Sequence, residues 1–197
     1  MQQKSGQQKR SREEILTATL RLFSIKGYFS TSMQDIRQEA GVSIGTIYHY
    51  FKNKEEIATA LYDSLLEQMT ERTRHCLTTQ KSFAAACQAL IRHLFAMAEE
   101  SPHALQFLLY ARHREFLPDK SPICTAKPFA LLLEAGQEAM AAGEMRSMHP
   151  VVLVTTIFGS SFRLILLKVD GVMERPLADF FDETWDCVWR AVAGGSG

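Results

Sequence analysis

The stretch TSMQDIRQEAGVSIGTIYHYFKNK, residues 31–54, decides the fold. Ser32 followed by Asp35 is a helix-start pattern, in which a hydroxyl and a carboxylate satisfy orphan amides of the first turn. It predicts a helix over Met33–Ala40, stopped by Gly41, which enters the left-handed region without steric cost. Ser43 then caps a second short helix, Ile44–Tyr50. Two such helices joined by Gly41-Val42-Ser43 have the layout of a helix-turn-helix. Ile36, Ala40, Val42 and Ile47 are spaced to face inward and hold the pair at a fixed angle.

Outward from this stretch, almost every segment carries helical periodicity. Residues 1–10 are polar and basic and are expected to be a disordered tail. Ser11 and Glu14 form a capping pattern for a first helix, whose stripe runs through Ile15, Ala18 and Leu22 to a stop at Gly27. Asn53 and Glu56 cap a long fourth helix with the stripe Ile57, Leu61, Leu65, Met69. Beyond residue 80 the pattern predicts a fifth helix through Phe83–Ala98 and a sixth from Pro102, then a loop over 116–124. Further helices follow at Lys127–Ala142, Pro150–Val169 and along Leu177–Val192, with 194–197 a flexible tail. The domains expected are a helix-turn-helix head at 11–54 and a larger helical body at 55–193.

Formal net charge is zero, but its distribution is uneven. Residues 1–54 hold nine basic against four acidic side chains, and the remainder thirteen against eighteen. A basic head on an acidic body fits a head that meets phosphate, although a fluctuation of surface charge gives the same count. Cys76, Cys87, Cys124 and Cys187 are scattered without ligand spacing, so neither a metal site, a cofactor nor a disulfide framework is expected. Val151–Val169 is apolar yet carries Thr155, Thr156, Ser160, Ser161, Arg163 and Lys168, too many polar groups for comfortable passage through a bilayer. With no secretory leader pattern, a cytoplasmic protein is expected.

The second helix of the pair offers Ser43, Ile44, Gly45, Thr46, Tyr48 and His49 along one face and its N-terminal half. These groups are short or planar, with little acid, and suit hydrogen bonds to bases or phosphates and contact with a thymine methyl. Gly45 costs a helix about 1 kcal/mol relative to Ala, a cost easier to understand if something must come near. Lys54 opposes the macrodipole at a helix start, which a nearby phosphate would reverse. Simple solvation of Lys54 is the alternative.

Residues 31–55, with Ile15, Ala18, Leu22-Phe23 and Lys26-Gly27-Tyr28 ahead of them, resemble the DNA-binding signature of the TetR family. The resemblance implies an all-α, usually homodimeric repressor, with an N-terminal head that binds double-stranded DNA and a larger C-terminal domain that binds a small molecule and dimerises. It implies phosphate or base contacts from Ser32 and Gln34, a reading face of Ser43, Ile44, Thr46, Tyr48 and His49, and a phosphate clamp at Lys54. Tyr50 and Phe51 would pack inward.

In the body, Gly159 and Ser160 allow close helix approach, and Trp185 and Trp189 stand one turn apart; these four mark an expected dimer seam. A pocket for a lipophilic effector would draw walls from Phe95, Phe107, Tyr110, Phe129, Leu133, Phe158 and Phe162, with His113 and Arg163 as polar anchors. Aromatics at helical spacing also serve as ordinary core. No histidine, serine or cysteine arrangement suggests an enzyme. A pure protein-interaction module remains the other reading, separable by salt-dependent DNA binding.

Overall fold

The computed structural model describes residues 2–110, 113–120 and 125–194, with side chains from Ser11 onward apart from Tyr110 and Arg114. Its helices are α1 (Gln2–Lys26), α2 (Met33–Ala40), α3 (Ile44–Tyr50), α4 (Lys54–Thr79) and α5 (Phe83–Glu100). There follow α6 (Pro102–Tyr110), α7 (His113–Phe116), α8 (Lys127–Ala141), α9 (Pro150–Val169), a 3-10 turn (Leu177–Phe180) and α10 (Phe181–Val192). Among the described residues there is no strand, only an isolated bridge between Met145 and Ala193. The all-α class expected from periodicity is therefore the observed one.

The chain forms two compact units, Met1–Leu65 with His103–Ile123, and Leu66–Pro102 with Cys124–Gly197. In the first, α1 buries Ile15, Leu16, Ala18, Leu22 and Phe23 in the core that receives Ile36, Ile47, Phe51, Ile57 and Tyr62. Each of the Ile, Leu and Phe side chains among these contributes on the order of 1.5–3 kcal/mol of burial. Thr19, fully buried on the same face, satisfies its hydroxyl on the Ile15 carbonyl at 2.7 Å. Gly27 and Gly41 end α1 and α2 at φ +81° and +65°, as their sequence positions imply.

The second unit is built on α5, whose expected stripe Phe83, Cys87, Leu90, Ile91, Leu94, Phe95 and Ala98 is buried throughout. Its N-terminus is held from far along the chain. Both Glu144 oxygens accept, from the amides of Phe83 at 3.0 Å and Ala84 at 2.7 Å, while Ser82 Oγ accepts from Ala85 N at 3.1 Å. Three orphan donors and the helix dipole are thereby satisfied together. Burial, with Glu144 nearby, pushes the Cys87 thiol well above its ordinary range, so this cysteine is an inert core group.

Several expected boundaries shift. The backbone of α1 starts at Gln2, so Ser11 lies inside the helix and residues 2–10 do not form the separate tail expected. Gln, Lys and Arg are good helix formers and extend a nucleated helix past an internal capping pattern. The 116–124 loop is entered through the short α7, while its residues 121–124 lie outside the described ones. Leu177–Val192 divides into a 3-10 turn and α10, because Glu99 accepts from the Leu177 amide at 3.0 Å and anchors the turn separately. Gly194, expected in the tail, donates to the Glu144 carbonyl at 3.0 Å; residues 195–197 lie outside the described ones.

Gly136 on α8 is a point of close approach: a Cβ there would stand 3.1 Å from Leu153 Cδ2 and 3.4 Å from Phe83 Cζ. Replacing it with Val overpacks this site and should destabilise the protein by about 1–3 kcal/mol. Urea titration should show the midpoint fall with the slope unchanged; an unchanged midpoint would mean Leu153 yields freely.

Candidate nucleic-acid interface

The geometry of α2 and α3 follows from short-range chemistry. Ser32 Oγ accepts from the Asp35 amide at 3.1 Å, and Asp35 Oδ2 accepts from the Ser32 amide at 2.8 Å, a reciprocal cap. Lys26 adds an ion pair to Asp35 at 3.1 Å. These bonds to the Ser32 hydroxyl and amide, with Lys26, hold the Asp35 carboxyl well below the usual carboxylate range. Ser43 Oγ accepts from Thr46 N at 3.0 Å and lies 2.8 Å from Thr46 Oγ1. Ile36 and Ile47 are fully buried between the helices, Phe51 is buried after them, and Ala40, Val42 and Tyr50 are half-buried.

What remains outside is the expected face. Ser32, Gln34, Ser43, Gly45 and His49 are exposed and Thr46 half-exposed. Ile44 and Tyr48 are large apolar groups left 38% and 54% exposed. Tyr48 in particular stands on a seven-residue helix whose other face carries Ile47 at 0% exposure. The Ser32 and Ser43 hydroxyls already cap helices, and the Ser32 hydroxyl also donates to Asp35 Oδ2 at 2.5 Å, so what each keeps for a partner is a spare lone pair. Gly45 answers to nothing inside the protein: a Cβ there would meet only Ser43 Oγ, at an ordinary 3.7 Å.

Lys54 has a role the sequence did not disclose. Its Nζ donates to the carbonyls of Tyr28 at 2.8 Å and Thr31 at 2.7 Å, and sits 4.2 Å from the centre of the Tyr28 ring. Two of three ammonium protons are thus spent on the turn between α1 and α2. The unfavourable cation at the start of α4 is explained by carbonyls of its own chain, without a phosphate. Burial lowers the Lys54 pKa, against which neighbouring Glu55 acts, and burial with Glu55 pushes the Tyr28 phenol up to about 12. A Tyr directly after the glycine that ends α1 and a Lys opening α4 were the available signals; their contact spans 26 residues.

The expected effector walls are divided between the two units. Phe107 and His113 lie together in the first unit, ring centroids 4.9 Å apart. His113 also meets Tyr62 at 4.9 Å, its Nε2 is buried without a hydrogen-bond partner, and burial lowers its pKa. In the second unit Phe95 is core, edge-on to Phe181, and Phe158 and Phe162 are neighbours at 6.3 Å. Phe129 and Leu133 are half-buried on α8; Arg163 is exposed with Gly159 and Ser160, away from buried Phe158. The Tyr110 side chain lies outside those described. An open groove of about 480 Å³ in the second unit is lined by Leu77, Phe83, Leu131 and Ala135 among others, and by none of the expected walls. Of the seam residues, Gly159 and Ser160 are exposed and Trp185 and Trp189 stack half-buried at 6.1 Å.

An all-helical chain with a capped helix-turn-helix and an exposed second helix defines a class, and known proteins of that class resemble it. Residues 15–61 match the model for bacterial regulatory proteins, tetR family. The HTH-type transcriptional regulator LmrA of Bacillus subtilis is 32% identical over 85 residues, 43% of this chain and 45% of that protein. The matched stretch spans about half the length of such curated relatives. A TetR family transcription regulator from Marinobacter aquaeolei superposes with a TM-score of 0.79 at 21% identity, over 99% of this chain and 100% of that one. The transcriptional regulator FadR of Bacillus subtilis, solved in complex with stearoyl-CoA, superposes at 0.75 with 22% identity, over 89% and 96%. Residues 15–61 are thus similar to the DNA-binding region of the tetR family, and the chain has the fold of solved regulators of that family. The curated relatives it matches are named as transcriptional regulators.

Two outcomes test this site's local chemistry. Gly45→Ala should stabilise the fold by up to about 1 kcal/mol in thermal unfolding, since no contact opposes a Cβ; a destabilised variant would contradict the packing described. Asp35→Asn should lower stability at neutral pH. A depressed carboxyl pKa contributes stability above the unfolded value near 3.9, lost as pH falls through the folded one. The gap between wild type and variant should therefore close in acid, and a gap constant from pH 7 to pH 2 would sink the assignment.

Proposed function

We propose that the protein is a ligand-responsive repressor that binds a palindromic operator as a homodimer and is released by a lipophilic small molecule. The observation that carries DNA binding is the outward face of α3: Tyr48 and Ile44 exposed, His49 beside them, and Gly45 with no internal reason to lack a side chain. Such a face suits a major groove, where the helix enters N-terminus first. In this reading Ser32, Gln34, Ser43, Thr46, Tyr48 and His49 contact bases or phosphates, and the one uncommitted Lys54 proton meets a phosphate.

Dimerisation is supported by α9. Among the described residues it alone is long and apolar enough to cross a membrane, and only about a third of it is buried within the chain. Val151 and Val152 stand 43% and 52% exposed near Gly159 and Ser160 on this helix. A second copy covers this surface in our reading, with Trp185 and Trp189 of α10 alongside. Two heads held about 34–36 Å apart then span one turn of DNA. The lipophilic effector draws support from FadR, whose structure holds stearoyl-CoA, and from the aromatic pair Phe158 and Phe162. A cytoplasmic location follows from the DNA target.

The experiment is binding of the purified protein to fragments of its own upstream region over a salt series, with footprinting of the tightest. Saturable, salt-sensitive protection of a palindrome is expected. Substituting Tyr48 and His49 with Ala should cost each site about 1–3 kcal/mol of specific affinity; unchanged affinity removes α3 as the reading helix. Trp189→Lys should yield monomers in sedimentation, and a dimer that persists would place the seam elsewhere.

A further inference from the structure

We infer that Phe116, on α7, is a positioning residue for the reading helices, acting through Tyr28, Lys54 and Thr31. The inference rests on the DNA-binding reading above. Phe116 is 9% exposed, and its ring stacks on Tyr28 with centroids 4.1 Å apart and planes 11° from parallel. A ring stacked that closely leaves its opposite face to the Lys54 ammonium at 4.2 Å. Tyr28 is therefore held between an aromatic ring from residue 116 and the cation that opens α4.

The same ammonium takes the carbonyls of Tyr28 and Thr31, and Thr31 is the residue before Ser32, the cap of α2. Thr31 is itself 2% exposed, with its hydroxyl on the Gly27 carbonyl at 2.9 Å. Every link from Phe116 to the first residue of the helix-turn-helix is thus a direct contact within one compact unit. Phe116 is in turn backed by His113, at 5.6 Å, and by Phe107, at 6.5 Å. The following segment is tied by Lys120 to both oxygens of Asp63, at 2.6 and 2.7 Å. A residue so placed sets where α2 begins without itself facing outward: Phe29, beside it at 6.3 Å, is the exposed member of the group.

The buried Nε2 of His113, without a partner, makes the docking of α7 costly to maintain. Ring packing has to offset that cost. Loss of the Phe116 ring should therefore loosen α7 and the start of α2 together, before the rest of the unit.

The test compares Phe116→Ala with Phe116→Tyr, which keeps the stack, and Phe116→Leu, which keeps apolar volume without it and replaces the Ala variant if that fails to fold. Binding to the footprinted operator and to unrelated DNA is measured over a salt series. Amide exchange is followed at residues 32–36 and, as an internal control, at 90–94 of α5. One aromatic stack corresponds to between about threefold and tenfold. Specific affinity should fall by that factor with the unrelated-DNA affinity and salt slope unchanged. Exchange at 32–36 should quicken by the same factor with 90–94 unmoved, and Tyr should restore both. Equal loss on both DNAs, uniform quickening in both segments, or no change overturns the positioning role. Should the wild type bind no DNA, the function proposed above fails, and the exchange comparison alone decides for or against Phe116.

Discussion

One half-buried ammonium organises the helix-turn-helix unit. Lys54 opens α4, yet its charge sits on the Tyr28 and Thr31 carbonyls and against the Tyr28 ring. Charge-assisted hydrogen bonds are worth about 1.5–3 kcal/mol each, and a shielded cation–π contact adds on the order of 1 kcal/mol. Partial burial works against them, as the lowered Lys54 pKa records. The balance still favours the contact, because its removal would leave two turn carbonyls and an apolar ring to find other partners. The turn between α1 and α2, the start of α4 and the seat of α7 all meet at this point.

Arginine would not substitute simply. Its planar fork is wider than an ammonium and cannot place two donors on carbonyls three residues apart while lying on the same ring in the same way. The compact, rotatable lysine head suits three partners in different directions. Arg12, by contrast, lies 5.4 Å from the Phe51 ring at the surface, where a flat guanidinium over an aromatic face is the natural arrangement.

Where the deciding chemistry spans three or four residues, it was legible. The caps at Ser32, Ser43 and Asn53, the glycine stops at 27 and 41, and the start of α9 at Pro150 stand where the spacing put them. The buried stripes of α1 and α5 were equally readable, since one period of 3.6 residues fixes them. Ser11 failed for an instructive reason: a cap pattern permits a start without requiring one when the preceding residues also favour helix. Contacts that bridge tens of residues left no local trace. Glu144 caps α5 across 61 residues, and nothing around Glu144 distinguishes it from a solvated acid in sequence. The stack of Phe116 on Tyr28 was hidden in what looked like a loop. The same holds for the effector walls, which were chosen by type; side-chain type says nothing of whether Phe107 and Phe158 belong to one unit.

Exposure on α3 acquires meaning from the packing behind it. A seven-residue helix is too short to be stable by propensity, so its existence depends on Ile47, on the Ser43 cap and on its neighbours. A helix so dependent would profit from alanine at residue 45 and from polar groups in place of Ile44 and Tyr48. It keeps glycine and two large apolar side chains in water instead. Stability alone selects against that surface, whereas a groove whose wall must come close, and whose bases carry methyl groups, selects for it. Within α2 and α3 the exposed large apolar groups, Ile44 and Tyr48, lie on the outer face of α3, while Ile36 and Ile47 are fully buried on the inner side. That division between faces, more than any single residue, is the physical argument that α3 is shaped for a partner.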